Sequence, residues 1–92
     1  MHRDPEIARG ERARAILDDP LVGEAFGALE RACIDEWRRA PARDVEGRER
    51  LWLMLKLCER LREHFVGLVE NGTLAADRLA QTEKERKFPF FT

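Results

Sequence analysis

The stretch RERLWLMLKLCERLREHFVGLVENG, residues 48–72, decides the fold. Its apolar residues recur at spacings of three and four, which is typical of a helix that buries one side. These residues are Leu51, Met54, Cys58, Leu61, Phe65 and Leu68. Asp44 is a suitable N-cap before this helix, and Asn71-Gly72 is a suitable stop after it. The pattern therefore predicts a long core helix over residues 44–71.

A second helix is predicted on the N-terminal side, over residues 20–39. Asp19 can cap its free N–H groups, and Pro20 is favourable in the first turn. Pro41 ends the helix and leaves only a short connection to Asp44. So short a connection makes the two helices antiparallel neighbours, with residue numbers that add up to about 84 lying side by side. We expect Leu61 and Phe65 to be buried between them.

A third, shorter helix is expected over residues 74–87, with Thr73 as its cap. The predicted fold class is therefore all-α: an antiparallel helical hairpin, residues 20–39 and 44–71, followed by this C-terminal helix. The chain divides into a polar flexible arm, residues 1–14, a helical oligomerisation domain, residues 15–87, and an aromatic C-terminal tail, residues 88–92.

Oligomerisation is expected because a chain of 92 residues has a marginal core of its own. Trp52, Leu53 and Leu57 lie outside the spacing of the core positions. Successive helical residues point about 100° apart, so these three cannot all contact one neighbouring helix. They are the candidate oligomer interface.

The aromatic tail has two open interpretations. Phe88, Pro89, Phe90 and Phe91 follow a highly charged segment with no apolar side. The phenylalanines can fold back over the hairpin, or they can dock on another protein, since aromatic side chains carry much of the energy of many interfaces.

The nearly neutral charge of the chain argues against strong nucleic-acid binding. The chain has 17 basic and 18 acidic residues and a net charge of −1, whereas strong non-specific nucleic-acid binders are clearly basic. The possible nucleic-acid contacts are Arg3, Arg9, Arg12 and Arg14 in the N-terminal arm, and any DNA binding is expected to be weak or absent. No apolar run is long enough to span a membrane, and the N-terminus has no secretory signal, so a cytoplasmic protein is expected.

Sequence motifs for catalysis are missing. There is no phosphate-binding loop, dinucleotide-binding motif, nucleophile elbow, zinc-protease motif or C-x-x-C pair. Cys33 and Cys58 fall at core positions and are expected to be buried free thiols. We expect no catalytic residues, no metal site and no cofactor, and the chain is not expected to be an enzyme.

Three stretches together carry a family resemblance: AILDDPLVGEAFGALE, ARDVEGRERLWLMLKLCERLREH and ENGTLAADRLAQ. They resemble short helical proteins encoded among the head and DNA-packaging genes of tailed bacteriophages and prophages. Within that group, the hairpin is similar to the oligomerisation core of small terminase subunits. Those proteins form rings, help to select viral DNA and modulate the large terminase subunit. They commonly carry a helix-turn-helix segment before the core, for which about nineteen residues before Pro20 leave too little room.

The resemblance implies a non-catalytic, self-associating protein of phage DNA packaging or morphogenesis, in the cytoplasm of a bacterial host. Its partners would be other copies of itself and, through the tail, the large terminase or the portal. One alternative is a heteromeric adaptor or inhibitor that binds a phage or host protein through its helix faces and the tail. A second is a weak nucleic-acid binder that uses the N-terminal arginines.

Overall fold

A computed structural model describes residues 4–87 of the chain. These residues form three helices, α1 (Pro5–Asp18), α2 (Pro20–Arg39) and α3 (Val45–Lys87). No strand occurs within the described range. The all-α prediction is confirmed.

Aspartate caps fix where each helix begins. The Asp4 carboxylate accepts from the Glu6 amide at 2.8 Å, and the Asp19 carboxylate accepts from the Leu21 amide at 2.8 Å. Asp44 accepts from the amide of Gly47 at 3.1 Å. These bonds satisfy amides that have no partner inside the first helical turn. The predicted bounds of α2 and the predicted N-cap of α3 are therefore confirmed.

The predicted helix stop at Asn71-Gly72 is wrong. Residues 71 and 72 lie inside α3, and no described glycine has a positive φ. The Thr73 hydroxyl donates to the carbonyl of Val69 at 3.1 Å instead of capping a new helix. The segment expected as a third helix, residues 74–87, is thus the continuation of α3. Gly72 is needed for a close helix contact, not for a turn.

The N-terminal arm also differs from its prediction. Residues 5–14, expected to be loosely ordered, belong to α1, where Gly10 and Ala13 are buried. Gly10 lies against Gly72 and Leu68 of α3. The polar sequence concealed this helix because small residues bring the two backbones together, and few large apolar side chains take part.

Both shorter helices pack against α3, with α2 beside its first part and α1 further along it. Arg48 of α3 stacks on Trp37, and Arg62 stacks on Phe26 of α2. Further along α3, Gly72 meets Gly10 and Arg78 pairs with Glu6 of α1. In these contact pairs, the residue number on α3 rises as the residue number on α1 or α2 falls. The described chain is accordingly elongated, with extents of 70 × 26 × 17 Å.

The core is thin. Its buried apolar residues are Ala13, Phe26, Cys33 and Ala75, and only Phe26 among them is large. Leu61, expected in the core, is 52% exposed, and that expectation is wrong. The next residue, Arg62, is the one that faces α2, where it contacts Phe26 and Glu30. Leu61 points about 100° away from Arg62 and is therefore exposed. The expectation for Phe65 is wrong as well, because this residue is only half-buried and lies beside Ala13 and Ile16 of α1 instead of between α2 and α3.

Candidate interaction surfaces

The expected oligomer-interface residues are all exposed, but they do not form one surface. Trp52, Leu53 and Leu57 are 52%, 51% and 65% exposed. Trp52 lies in a groove between α2 and α3. Leu57 is five residues further along, about 140° around the helix, and so points to a different side.

We call the groove that contains Trp52 the tryptophan groove. It encloses about 250 Å³ and is lined by Cys33, Ile34, Trp37, Arg38, Leu51, Trp52 and Leu55. Cations lie on both indoles. The Arg48 guanidinium carbon is 4.6 Å from the centroid of Trp37, and the Lys56 Nζ is 5.4 Å from that of Trp52. Such contacts fix the orientation of exposed indole rings and contribute about 0.5–1 kcal/mol each.

The sequence did not reveal this groove. Trp37 continues the spacing of the buried positions of α2, which indicates a core residue, yet it is 43% exposed. It lies near the end of the helix, where the neighbouring α3 is only beginning. The sequence does contain one indication of an exposed tryptophan: Arg48 on α3 lies opposite Trp37 on α2, and an arginine next to an indole is more typical of a surface than of a core.

Charged groups concentrate on the groove side and between the helices. Lys56 and Glu59 form an exposed ion pair at 3.2 Å. Arg62 reaches from α3 to the carboxylate of Glu30 at 2.9 Å while its guanidinium lies 4.9 Å from the Phe26 centroid. The Arg62 side chain therefore joins α2 to α3 by both charge and ring stacking.

The N-terminal arginines do not converge. Arg9 and Arg12 line a cavity of about 190 Å³ together with Ile16 and Phe65. Arg14 lines a separate cavity of about 150 Å³ that includes Ile7 and Glu11. Arg3 lies outside the described residues. The described arginines of α1 are thus divided between two sides of the helix instead of forming one basic patch.

The tail residues Phe88, Pro89, Phe90 and Phe91 also lie outside the described residues.

Polar chemistry is sparse over residues 4–87. No group of three His, Cys, Asp or Glu side chains is arranged there to hold a metal ion. His64 makes an edge contact with the Phe65 ring, with centroids 6.0 Å apart. Both cysteines are free thiols, but only Cys33 is buried as expected, and Cys58 is half-buried. Burial, with smaller contributions from Cys58 and Glu36, raises the pKa of the Cys33 thiol.

None of the helices within the described range is both long enough and apolar enough to cross a membrane. Comparison of the chain with protein-family models, with curated proteins and with solved structures gives no match.

Proposed function

We propose that this chain is a non-catalytic helical protein that works by associating with copies of itself. The observation that carries the proposal is the imbalance between buried and exposed apolar side chains. The described residues bury four hydrophobic side chains and leave fourteen large ones exposed. Scattered exposed leucines are ordinary, but so many on so small a core favour a chain whose surface is covered by another chain.

The proposed architecture is an antiparallel hairpin. One arm is α1 followed by α2, and the other arm is α3. The opposite order of the contact pairs, Trp37 with Arg48 and Gly10 with Gly72, supports this arrangement. A hairpin of two long arms leaves both of its broad sides open, which is where association with other chains would bury apolar area.

Within this function, we propose a role in phage DNA packaging or morphogenesis, similar to that of a small terminase subunit. This narrower proposal rests on the resemblance of the three sequence stretches. The large terminase subunit or the portal would be the further partner, and the aromatic tail would dock on it.

Solution mass tests self-association. Light scattering at tens of micromolar should return a multiple of the 10.7 kDa chain mass. A particle of 10.7 kDa at that concentration would refute self-association. The measurement should be repeated across a dilution series, because association of this kind depends on concentration.

The packaging role needs a separate binding test. The full chain should bind purified large terminase or portal protein encoded in the same genome. A variant lacking residues 88–92 should keep its helicity and its mass and lose that binding. Equal binding by both variants would exclude docking through the tail, and binding by neither would count against the packaging role.

A heteromeric adaptor is the second candidate. The tryptophan groove favours it, because Trp37 and Trp52 stand partly exposed in a concave, apolar site of about 250 Å³. Tryptophan is enriched among the residues that dominate protein interfaces. A monomeric wild-type chain whose Trp52→Ala variant loses binding to such a partner would favour the adaptor over self-association.

A further inference from the structure

One side of the α2–α3 pair is apolar and free of charge over most of its length. On α3, Met54, Leu57 and Leu61 follow at spacings of three and four and share one side of the helix. They are 48%, 65% and 52% exposed. On α2, the exposed residues Ala25, Leu29 and Ala32 share one side for the same reason.

The tryptophan groove shows that these two rows lie on the same side of the hairpin. Ile34 and Trp52 line that groove from α2 and α3. Ile34 is two residues beyond Ala32, about 200° around α2, and Trp52 is five residues before Leu57, about 140° around α3. Since both rows point away from the groove, they meet on the opposite side. We call this side the leucine face; it comprises Ala25, Leu29, Ala32, Met54, Leu57 and Leu61.

We propose that the leucine face is the pairing surface for a second copy of this chain, with α3 of each copy lying over α2 of the other about a two-fold axis parallel to the helices. This inference rests on the self-association proposed above and assigns its surface and geometry.

Side-chain size supports this pairing. The α2 row contains two alanines, whereas the α3 row contains two leucines and a methionine. Laying α3 over the partner's α2 sets large side chains against small ones, which is the arrangement that fills a helical interface. Laying α3 over the partner's α3 would crowd the large side chains and leave the alanine rows apart.

Charge supports it independently. Glu36 is four residues beyond Ala32, and Arg50 is four residues before Met54, so each continues its row toward the turn. The axis proposed here keeps both turns at the same end. The level of Glu36 then matches that of the partner's Arg50, so that the charges at the end of the face are paired twice by symmetry.

The available area is sufficient. The whole of this side of the α2–α3 pair is two helices about 10 Å wide over the roughly 30 Å length of α2, and it presents about 600 Å² on each copy, with the leucine face at its centre. A pair would bury about 1,200 Å², which reaches the range of stable interfaces. The groove side is less suitable because Arg38 lines the groove and the Lys56 ammonium lies over the Trp52 ring, so charged groups stand there.

Two matched variants test the surface. Leu57→Glu and Trp52→Glu each put a carboxylate on α3, on the leucine face and in the tryptophan groove respectively. We expect wild type and Trp52→Glu to have twice the chain mass in solution. Leu57→Glu should have the mass of one chain, with unchanged far-ultraviolet circular dichroism, because Leu57 contributes little to the fold of its own chain. An assembled Leu57→Glu with a dissociated Trp52→Glu would overturn the inference and leave self-association intact.

A charge swap tests the geometry. Glu36→Arg alone should raise the dissociation constant of the pair up to about tenfold at low salt, since it places like charges together twice. Adding Arg50→Glu should restore the wild-type constant. A double variant no tighter than the single one would reject the placement of α3 over α2. A wild-type mass of three or more chains would reject the two-fold pair, and a monomeric wild type would defeat both this inference and the proposed function.

Discussion

Gly10 of α1 and Gly72 of α3 bring their backbones into direct contact. A Cβ atom placed on Gly10 would lie 2.9 Å from the Gly72 Cα and 2.9 Å from the Leu68 carbonyl oxygen. A Cβ placed on Gly72 would lie 3.0 Å from the Gly10 Cα and 3.0 Å from the Glu6 carbonyl oxygen. Backbone atoms of packed helices cannot move aside as a flexible side chain can. The absence of both Cβ atoms therefore sets how closely α1 approaches α3.

Gly72→Ala should destabilise the protein even though alanine is the better helix former. Replacing a helical glycine with alanine ordinarily adds up to about 1 kcal/mol to the free energy of unfolding. At Gly72 the new methyl group meets backbone, and overpacking of this kind costs about 1–3 kcal/mol. Denaturant unfolding at a fixed protein concentration should show a lower midpoint for this variant.

Gly23→Ala is the matched control for that experiment. Gly23 lies mid-helix in α2, and a Cβ there would meet nothing within 4 Å. Its unfolding midpoint should rise or stay unchanged. If Gly72→Ala were stabilised to the same extent as Gly23→Ala, the close helix contact would not exist in solution.

The same glycine explains why the sequence predicted the ends of the helices unevenly. Asp19-Pro20 and Asp44 are local signals: each carboxylate bonds an amide two or three residues away, so the chain nearby contains all the information. The glycine in Asn71-Gly72 is compatible with two structures: the end of a helix, and a point where two helices pack closely. Only the presence of Gly10 on the opposite helix separates the two, and that pairing is not visible from residues near 72.

The interaction surfaces, like the ends of the helices, could be predicted only in part from the sequence. Periodicity showed that Trp52, Leu53 and Leu57 could not all enter one core. It could not divide them between two sides until the positions of Ile34 and Trp37 on α2 were known. The alanines at positions 25 and 32 flank the apolar spacing of α2, but small side chains carry little hydrophobic signal and so do not mark an interaction surface in the sequence.

Phe26→Ala should be the most damaging truncation of an apolar side chain in α2. Phe26 is 8% exposed, and the Arg62 guanidinium lies 4.9 Å from the centroid of its ring. Removing a buried phenyl ring costs about 3–5 kcal/mol. Leu74→Ala is the control, since Leu74 is 58% exposed on α3 and should cost less than about 1 kcal/mol. Similar melting temperatures for the two variants would contradict the placement of the core.

Asp44→Ala should weaken the start of α3. The Asp44 carboxylate accepts from the Gly47 amide at 3.1 Å, and loss of such a cap costs about 0.5–2 kcal/mol. Asp44→Asn keeps an acceptor oxygen and should retain most of the stability. Amide hydrogen exchange at residues 46–48 should quicken in the alanine variant and stay slow in the asparagine variant. Equal exchange in all three proteins would show that the cap does not protect this turn.

Cys33 should make stability fall at alkaline pH. Burial raises the pKa of its thiol in the folded chain, and the neighbouring Cys58 and Glu36 add to the effect. As pH rises, the thiol of the unfolded chain therefore ionises first, and ionisation draws the equilibrium toward the unfolded state. The stabilising contribution is complete below the pKa of the unfolded thiol and is lost as pH rises through the pKa of the folded one.

Unfolding midpoints of wild type, Cys33→Ala and Cys58→Ala, measured under reducing conditions near neutral pH and at about pH 10, provide the test. The fall between the two pH values should be smaller in Cys33→Ala than in wild type. A fall of the same size in both would show that the Cys33 thiol is not desolvated in the folded protein.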